Sequence, residues 1–422
     1  MTPEVVHGAE MMVHGAEWTI KELFTYPNEY VYWTIQIVMY PYLTGLVAGA
    51  FVLSSLYHVF GQDDLKDIAK FALVFSFALL IVAPMPLLFH LQQPQRNFEV
   101  MLTPHFTSAI AAFGMVYSFY MAIVASEIWF VYRKFFVEQT IELKGKAGIG
   151  NMLLRTLYHI LTLGAYDLSE GAIHKDEKAI KLLAAVGIPV ACFLHGYAGF
   201  IFGSVKANAL WMTPLMPVIF IMSAIVSGIA LCMLTDIIIM EWKKFRIKTS
   251  KKRWEITAEE VVGAEIDIVK KTAKYLLGFM IAALTLELVD LIFRGYTAMK
   301  SWDILRTVIY GKDFTKIFIY QYGFGNVLPF VLLLLPKLTV KRAAIAAALV
   351  LFGVFMMRWN VVIGGQAFSL SFAGYMEYHI PVIPHSMETF KEGVTGALFM
   401  GILPFILFWL FNKIIPCLKF KQ

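Results

Sequence analysis

Long apolar stretches separated by short polar connections run through the whole chain. A spanning helix needs about 20 mostly apolar residues, and nine stretches of the sequence meet this need. We predict spans 1 to 9 near Tyr32–Phe60, Ile68–His90, Pro104–Phe130, Ile180–Phe202, Pro214–Met240, Tyr275–Phe293, Phe314–Leu335, Ala343–Ile363 and Gly393–Phe411. The segment Met152–Leu163 is short and amphipathic, so we interpret it as an interfacial helix, with a tenth span as the alternative. The pattern predicts an all-α integral membrane protein, a polytopic helical bundle.

The positions of lysine and arginine predict the orientation, since cytoplasmic loops retain these residues. The connection between spans 5 and 6 is densely basic from Lys243 to Arg253, and the connections after spans 3 and 7 are basic too. We therefore predict the N-terminus outside and the C-terminus in the cytoplasm. The predicted parts are an acidic periplasmic tail at 1–30, a transmembrane bundle at 31–415 and a cytoplasmic tail at 416–422. The bundle carries a cytoplasmic amphipathic insert at 137–178, a basic cytoplasmic loop at 241–274 and a periplasmic loop at 364–392.

The composition agrees with a membrane protein and excludes several classes of function. Hydrophobic residues make up 59% and charged residues 16% of the chain, whereas a soluble fold carries roughly 25% charged residues. This excludes a cytosolic enzyme, a nucleic-acid-binding protein and a secreted disulfide scaffold. The net charge of +6 resides in loops that flank the membrane, so lipid, not nucleic acid, is the expected neighbour.

The cysteines and histidines predict no redox cofactor and no metal site on this chain. Cys192, Cys232 and Cys417 form no Cys-x-x-Cys pair, and such pairs are typical of iron–sulfur clusters and c-type haem. Among ten histidines only His195 lies deep in a predicted span. A b-type haem held by two histidines is therefore disfavoured.

Span 6 carries ionisable residues inside the predicted membrane. Glu287, Asp290 and Arg294 are three and four residues apart, so they share one helix face. A charge in hydrocarbon costs about 2.5–3.5 kcal/mol on insertion scales, which makes such residues candidates for function. Two neighbouring carboxylates disfavour double ionisation, so one of them can hold a proton for a reducible ligand. The alternative is an Asp290–Arg294 pair that fixes helix packing.

Further polar residues are predicted near the same outer end of the bundle. Arg358 and Asn360 at the end of span 8 offer donors to a carbonyl group, with an interfacial anchor as the alternative. We predict proton exchange at Glu287, Asp290 and His90. We predict ligand contacts at Gln36, Arg96, Lys206, Arg358 and Asn360.

Deeper polar residues suggest a route for protons across the inner half. His195, Glu127 and Asp236 are candidates for such a path. The alternatives are a packed core histidine and two carboxylates at the membrane interface.

The loop at 364–392 is stiffened by Pro381 and Pro384, and we interpret it as part of a docking surface, with a cover over the site as the alternative.

Several segments resemble the polysulfide-reductase membrane-subunit (NrfD-like) family. Pro94, Arg96, Phe98, Met101, Leu102 and Pro104 match its signature after the second helix, whereas Gln92, Gln93 and His90 depart from it. Tyr42–Ala50 resembles its glycine-rich first helix, and His195–Gly228 its fourth and fifth helices. The run from Arg358 to Val362 is similar to the longer branch, which includes membrane subunits of Hyb-type hydrogenases and of the Dsr complex.

The resemblance implies a quinone-reactive subunit of a respiratory complex in the cytoplasmic (inner) membrane. Such a subunit passes electrons between menaquinone or ubiquinone and a periplasmic iron–sulfur partner, with a multihaem cytochrome or catalytic subunit as a further partner. It is non-autonomous within a quinone oxidoreductase complex, and proton translocation is an open addition. The alternatives are a secondary transporter, which also places ionisable residues within a bundle, and a b-type cytochrome membrane anchor.

Overall fold

The computed structural model describes residues 31–417, apart from 32, 106, 147, 206, 207, 209, 251–265, 297–301, 369–375 and 377. The predicted terminal tail at 1–30, most of the tail at 416–422, and Lys206 therefore lie outside the described residues. Within the described part, nine helices are long and apolar enough to cross a membrane. This confirms the all-α, polytopic membrane fold.

The spans follow the predicted order along the chain. Their helices are Ile35–His58, Lys66–Val82 continued by Met85–His90, Ala109–Glu142, Glu170–Gly203, Met216–Ser250, Ile266–Tyr296, Thr315–Val327 continued by Leu328–Leu334, Val340–Trp359 continued by Asn360–Gly364, and Val394–Ile414. Shorter helices are Asp63–Leu65, Pro94–Phe98, Glu99–Leu102, Ile149–Leu161, Trp302–Thr307, Val308–Lys312 and Met387–Glu392.

Three helix starts differ from the prediction by five residues or more. Span 6 begins at Ile266, nine residues before the predicted Tyr275. Span 3 begins at Ala109 and not near Pro104, because the short helix Glu99–Leu102 ends at Thr103 before the chain turns into the span. Span 4 begins at Glu170, where the Ser169 side chain accepts a hydrogen bond from the Ala172 N–H. The first turns of this helix are polar, so the apolar pattern predicted a later start, near Ile180. The predicted interfacial segment forms the separate helix Ile149–Leu161, whose 13 residues are too few to span.

Spans 1 and 5 pack in close contact at two facing glycines. A Cβ added at Gly49 would lie 2.3 Å from the Ala224 carbonyl oxygen and 2.7 Å from the Gly228 Cα. Small residues let membrane helices approach at the level of their backbones, where dispersion drives their association. This contact aligns span 1 with span 5 in the centre of the bundle.

Replacing Gly49 with Ala is expected to lower the thermal stability of the purified protein. The new methyl group meets rigid backbone, and overpacking of this kind costs about 1–3 kcal/mol. Gly278→Ala in span 6 is the matched control, because nothing lies within 4 Å of its added Cβ. Thermal unfolding in detergent measures both variants. Equal stability of the two would contradict the close contact of spans 1 and 5.

Span 7 departs from α-helical geometry along most of its length. Thr315–Val327 is a π-helix, and span 8 ends in a π-helical turn at Asn360–Gly364. The two spans touch where a Cβ added at Gly325 would lie 2.1 Å from the Gly353 Cα. π-Helical segments occur frequently at functional sites. Here they place the polar side chains of spans 7 and 8 opposite span 6.

Candidate functional site

A cavity of about 130 Å³ lies between spans 5, 6, 7 and 8. It lies where span 5 begins and spans 6 and 8 end, and we call this the cavity end of the bundle. The polar lining residues are Glu287, Asp290, Arg294, Gln321, Tyr322 and Asn360. Aliphatic and aromatic side chains, including Ile219, Leu291 and Phe318, complete the wall. A mainly apolar cavity with a few convergent polar groups is typical of sites for small organic ligands.

Glu287 begins a chain of hydrogen bonds that crosses the cavity wall. Gln321 Nε2 donates to Glu287 Oε2 at 3.1 Å, and Asn360 Nδ2 donates to Gln321 Oε1 at 2.8 Å. The Glu287 carboxylate also interacts with the Tyr322 hydroxyl and with the charge of Arg358. The buried Asn360 Oδ1 has no hydrogen-bond partner among the described residues. Spans 6, 7 and 8 thus hold one carboxylate and two amides in a fixed order around the cavity.

Asp290 has a different environment from Glu287. Arg294 Nε donates to Asp290 Oδ2 at 2.8 Å, and the Thr213 hydroxyl donates to the other carboxylate oxygen. Arg294 Nη2 also donates to the Leu210 carbonyl oxygen at 3.1 Å. The pair considered as a packing lock therefore exists, and it also lines the cavity. The two lining carboxylates thus differ in their donors: Asp290 is bound by the charged Arg294, whereas Glu287 accepts a hydrogen bond from the neutral amide of Gln321.

Arg358 lies behind the cavity wall and is fully buried. Its Nη2 donates to His195 Nε2 at 3.0 Å and to Ser223 Oγ at 2.7 Å, and its guanidinium carbon lies 3.8 Å from the centre of the Phe220 ring. Since an arginine only donates, His195 accepts at Nε2 and carries its proton on Nδ1. The predicted ligand residue Arg358 thus joins spans 4, 5 and 8 and does not line the cavity.

Two other predicted residues form a separate cluster beside the start of span 1. Gln36 Nε2 donates to the Lys391 carbonyl oxygen, and His90 Nδ1 lies 3.1 Å from Glu392 Oε2. The Thr34 hydroxyl donates to the same carboxylate. These contacts join span 1, the end of span 2 and the helix before span 9. Neither Gln36 nor His90 lines the cavity.

Arg96 lies apart from both clusters. It is an exposed residue that pairs with Glu99 at 3.0 Å, within the short loop helices after span 2.

The predicted loop at 364–392 packs on the bundle through its described residues. The Tyr378 hydroxyl accepts a hydrogen bond from the Ile35 N–H at 2.8 Å, and burial raises the pKa of Tyr378 to about 12. Tyr378 therefore keeps its proton near neutral pH.

Two candidates for a proton path, Glu127 and Asp236, lie toward the opposite end, whereas His195 contacts Arg358 behind the cavity wall. Glu127 is fully buried and its Oε1 lies 3.1 Å from His58 Nδ1, so it is not an exposed interface carboxylate. Asp236 is partly buried and lies eight residues beyond Gly228 in span 5. Sequence reasoning missed His58, Gln321 and Tyr322. His58 is the last residue of span 1, where a histidine reads as an interface residue, and neutral residues such as Gln321 and Tyr322 give no signal of charge.

The sequence is similar to those of several known membrane proteins. The family model described as polysulphide reductase, NrfD, matches residues 24–370. The C subunit of the selenate reductase of Mesobacillus selenatarsenatis is 28% identical over 80% of this chain and 74% of its own length. The putative membrane C subunit of a dimethyl sulfoxide reductase of Halobacterium salinarum is 24% identical over 83% and 71%, respectively. Protein NrfD of Escherichia coli is 24% identical over 49% of this chain and 60% of its own length.

The family match covers well over half of the chain, and it includes spans 1 to 8 with every polar residue that lines the cavity. The described residues contain no cluster of His, Cys, Asp and Glu that could hold a metal ion. The chain is a member of the NrfD polysulphide reductase family and a multi-pass membrane protein.

Proposed function

We propose that this chain is the quinone-reactive integral membrane subunit of a respiratory electron-transfer complex. The observation that supports this most directly is the apolar cavity in which Glu287, Gln321 and Asn360 form one hydrogen-bonded chain. Two relatives are named as membrane or C subunits of selenate and dimethyl sulfoxide reductases. Such a subunit would exchange electrons with a membrane-soluble carrier, and menaquinone or ubiquinone fits that requirement.

The chemistry follows from what a quinone needs. Its ring and tail require apolar contacts, its carbonyl oxygens require donors, and its reduction adds protons at those oxygens. The apolar cavity wall suits the ring. One Asn360 amide hydrogen is held only weakly, by the Lys316 carbonyl oxygen at 3.4 Å, and it would turn to a quinone carbonyl. Glu287 holds or releases the proton. Asp290, held by Arg294, would set the charge beside it, and Arg358 would fix the wall from behind.

The remaining predicted residues enter the proposal by their position. Gln36 and His90 form a cluster beside the start of span 1, and with Arg96 they would line the side from which the partner approaches. That partner would be a periplasmic iron–sulfur subunit, with a multihaem cytochrome or catalytic subunit attached to it. The whole complex would reside in the inner membrane. Glu127, His195 and Asp236 would carry protons, which would couple electron transfer to proton translocation.

A photoreactive quinone analogue tests the proposal directly. Incubated with the purified complex and illuminated, it is expected to label spans 6, 7 and 8, and excess natural quinone should abolish the labelling. Saturable labelling beside Gln36 and His90 instead would move the site to that cluster. Labelling that excess quinone does not displace would reject quinone binding.

Replacing Asn360 with Leu is expected to raise the KM for the quinone about tenfold, because one carbonyl donor is lost at a cost of roughly 1.4 kcal/mol. The matched control is Gln139→Leu, which removes a partly exposed amide that donates to Glu142 at 3.0 Å near the end of span 3. Steady-state turnover of the complex over a range of quinone concentrations measures both. An unchanged KM in Asn360→Leu would remove Asn360 from the binding site.

A further inference from the structure

A second group of buried ionisable residues lies far from the cavity. His58 ends span 1, and its side chain is 5% exposed, while that of Glu127 in span 3 is 0% exposed. Ser54 Oγ lies 3.3 Å from His58 Nδ1, and the Tyr57 ring lies 5.0 Å from the imidazole. Ionisable groups are expensive inside a membrane protein and mark pathways for ions or protons. Neither residue lines the cavity.

Further buried polar groups continue from this pair toward the cavity end. Tyr120 precedes Glu127 by seven residues, which places both on one face of span 3. Its hydroxyl interacts electrostatically with Glu127 and with Cys192 of span 4. Cys192 lies three residues before His195, and His195 accepts the hydrogen bond from Arg358. Arg358 in turn interacts with Glu287 at the cavity.

The residues of span 1 that contact this series show how deep each of its members lies in the bundle. His58 is its last residue, Phe51 packs against the Tyr120 ring at 5.5 Å, and a Cβ added at Gly45 would lie 3.2 Å from His195 Cε1. At 1.5 Å per residue, the distance from Gly45 to His58 is roughly 20 Å along the helix axis. The series therefore covers about two thirds of a hydrocarbon core of roughly 30 Å.

Members of the series carry polar atoms that are buried and lack hydrogen bonds. Glu127 Oε2, the Tyr120 hydroxyl and His195 Nδ1 have no hydrogen-bond partner among the described residues. Leaving such atoms unsatisfied costs several kcal/mol in a membrane interior. Buried water commonly satisfies atoms of this kind. Waters bound to these three atoms, which lie at successive depths, would link the members of the series.

We propose that the His58–Glu127 pair is a proton-accepting site at the inlet of a water-linked relay that passes Tyr120 and Cys192 and reaches His195. The relay would supply the protons that a quinone takes up at the cavity. At each step an O–H, S–H or N–H bond breaks on the donor and another forms on the acceptor. From His195 the proton would pass through water to Glu287 and then to a quinone carbonyl oxygen, because Arg358, which interacts with both residues, keeps its own proton. The partner subunit would supply the electrons. The exposed residues Asp63 and Asp64 follow His58 along the chain, and protons would enter the relay from this side. This inference rests on the proposed quinone function.

The test uses the purified complex in proteoliposomes that contain a trapped pH-sensitive dye. Tyr120→Phe removes one hydroxyl without changing the packing, and Glu127→Gln removes the carboxylate. Both are expected to lower proton uptake from the compartment that faces His58 about tenfold, together with quinone turnover. The KM for the quinone should stay within about twofold of that of the wild type, because the cavity is unchanged.

Tyr132→Phe is the matched control, since Tyr132 is another buried tyrosine of span 3 whose hydroxyl lacks a partner among the described residues. It lies outside the series and should keep wild-type turnover and proton uptake. Wild-type rates of proton uptake in Tyr120→Phe would overturn the relay and leave the quinone function standing. A wild-type complex that does not react with quinone would overturn both.

Discussion

Glu287→Gln is expected to lower quinone-linked turnover about a hundredfold, the lower limit of what a positioned proton carrier contributes. Glutamine has nearly the same shape and can keep a hydrogen bond to Gln321, which lies 3.1 Å from Glu287 in the wild type. It cannot accept or release a proton at this depth. Turnover of the purified complex with a soluble quinone analogue measures the effect, and the amount of assembled complex shows whether the fold is intact.

Two variants make the result for Glu287 specific. Glu138→Gln removes an exposed carboxylate that pairs with Lys134 at 3.8 Å in the last turns of span 3, and it should leave turnover unchanged. Asp290→Asn breaks the pair with Arg294 and should lower stability more than turnover, because that pair binds span 6 to the segment before span 5, at Leu210 and Thr213. Turnover of Glu287→Gln within about twofold of that of the wild type would remove Glu287 from the proton transfer.

The sequence was sufficient to predict the order and number of spans among the described residues. Each segment that crosses the membrane must pair its backbone polar groups internally, as a helix does. It also predicted one face of span 6, since three ionisable residues at helical spacing need no tertiary information. Glu287, Asp290 and Arg294 do line a common cavity. Their arrangement follows from the helix period alone.

Neighbours in the plane of the membrane could not be predicted in this way. Gln321 faces Glu287 only because span 7 is π-helical, and a π-helix shifts the side chains relative to the α-helical period. Gln36 and Arg358 were assigned to one ligand site because of their similar depth. The structure places Gln36 against the Lys391 carbonyl and Arg358 behind the wall. Depth is encoded in each span, whereas lateral position depends on how all the spans pack.

Arg358→Met is expected to lower the free energy of unfolding by about 3–5 kcal/mol, because Arg358 is buried and paired. The guanidinium binds His195, Ser223 and the Phe220 ring at once, and it is the buried cation that interacts with Glu287. Removing it leaves an uncompensated carboxylate and an unsatisfied imidazole nitrogen in the membrane interior. Thermal unfolding in detergent measures the loss.

Arg358→Lys and Arg155→Met separate charge from geometry in this prediction. Lysine keeps the positive charge, but its ammonium cannot reproduce the planar contact with the Phe220 ring and the two hydrogen bonds together, so it should recover part of the stability. Arg155 is exposed on the helix Ile149–Leu161, and its replacement should change stability by less than about 0.5 kcal/mol. Wild-type stability in Arg358→Met would show that spans 4, 5 and 8 hold together without the buried arginine, and the wall behind the cavity would then need another support.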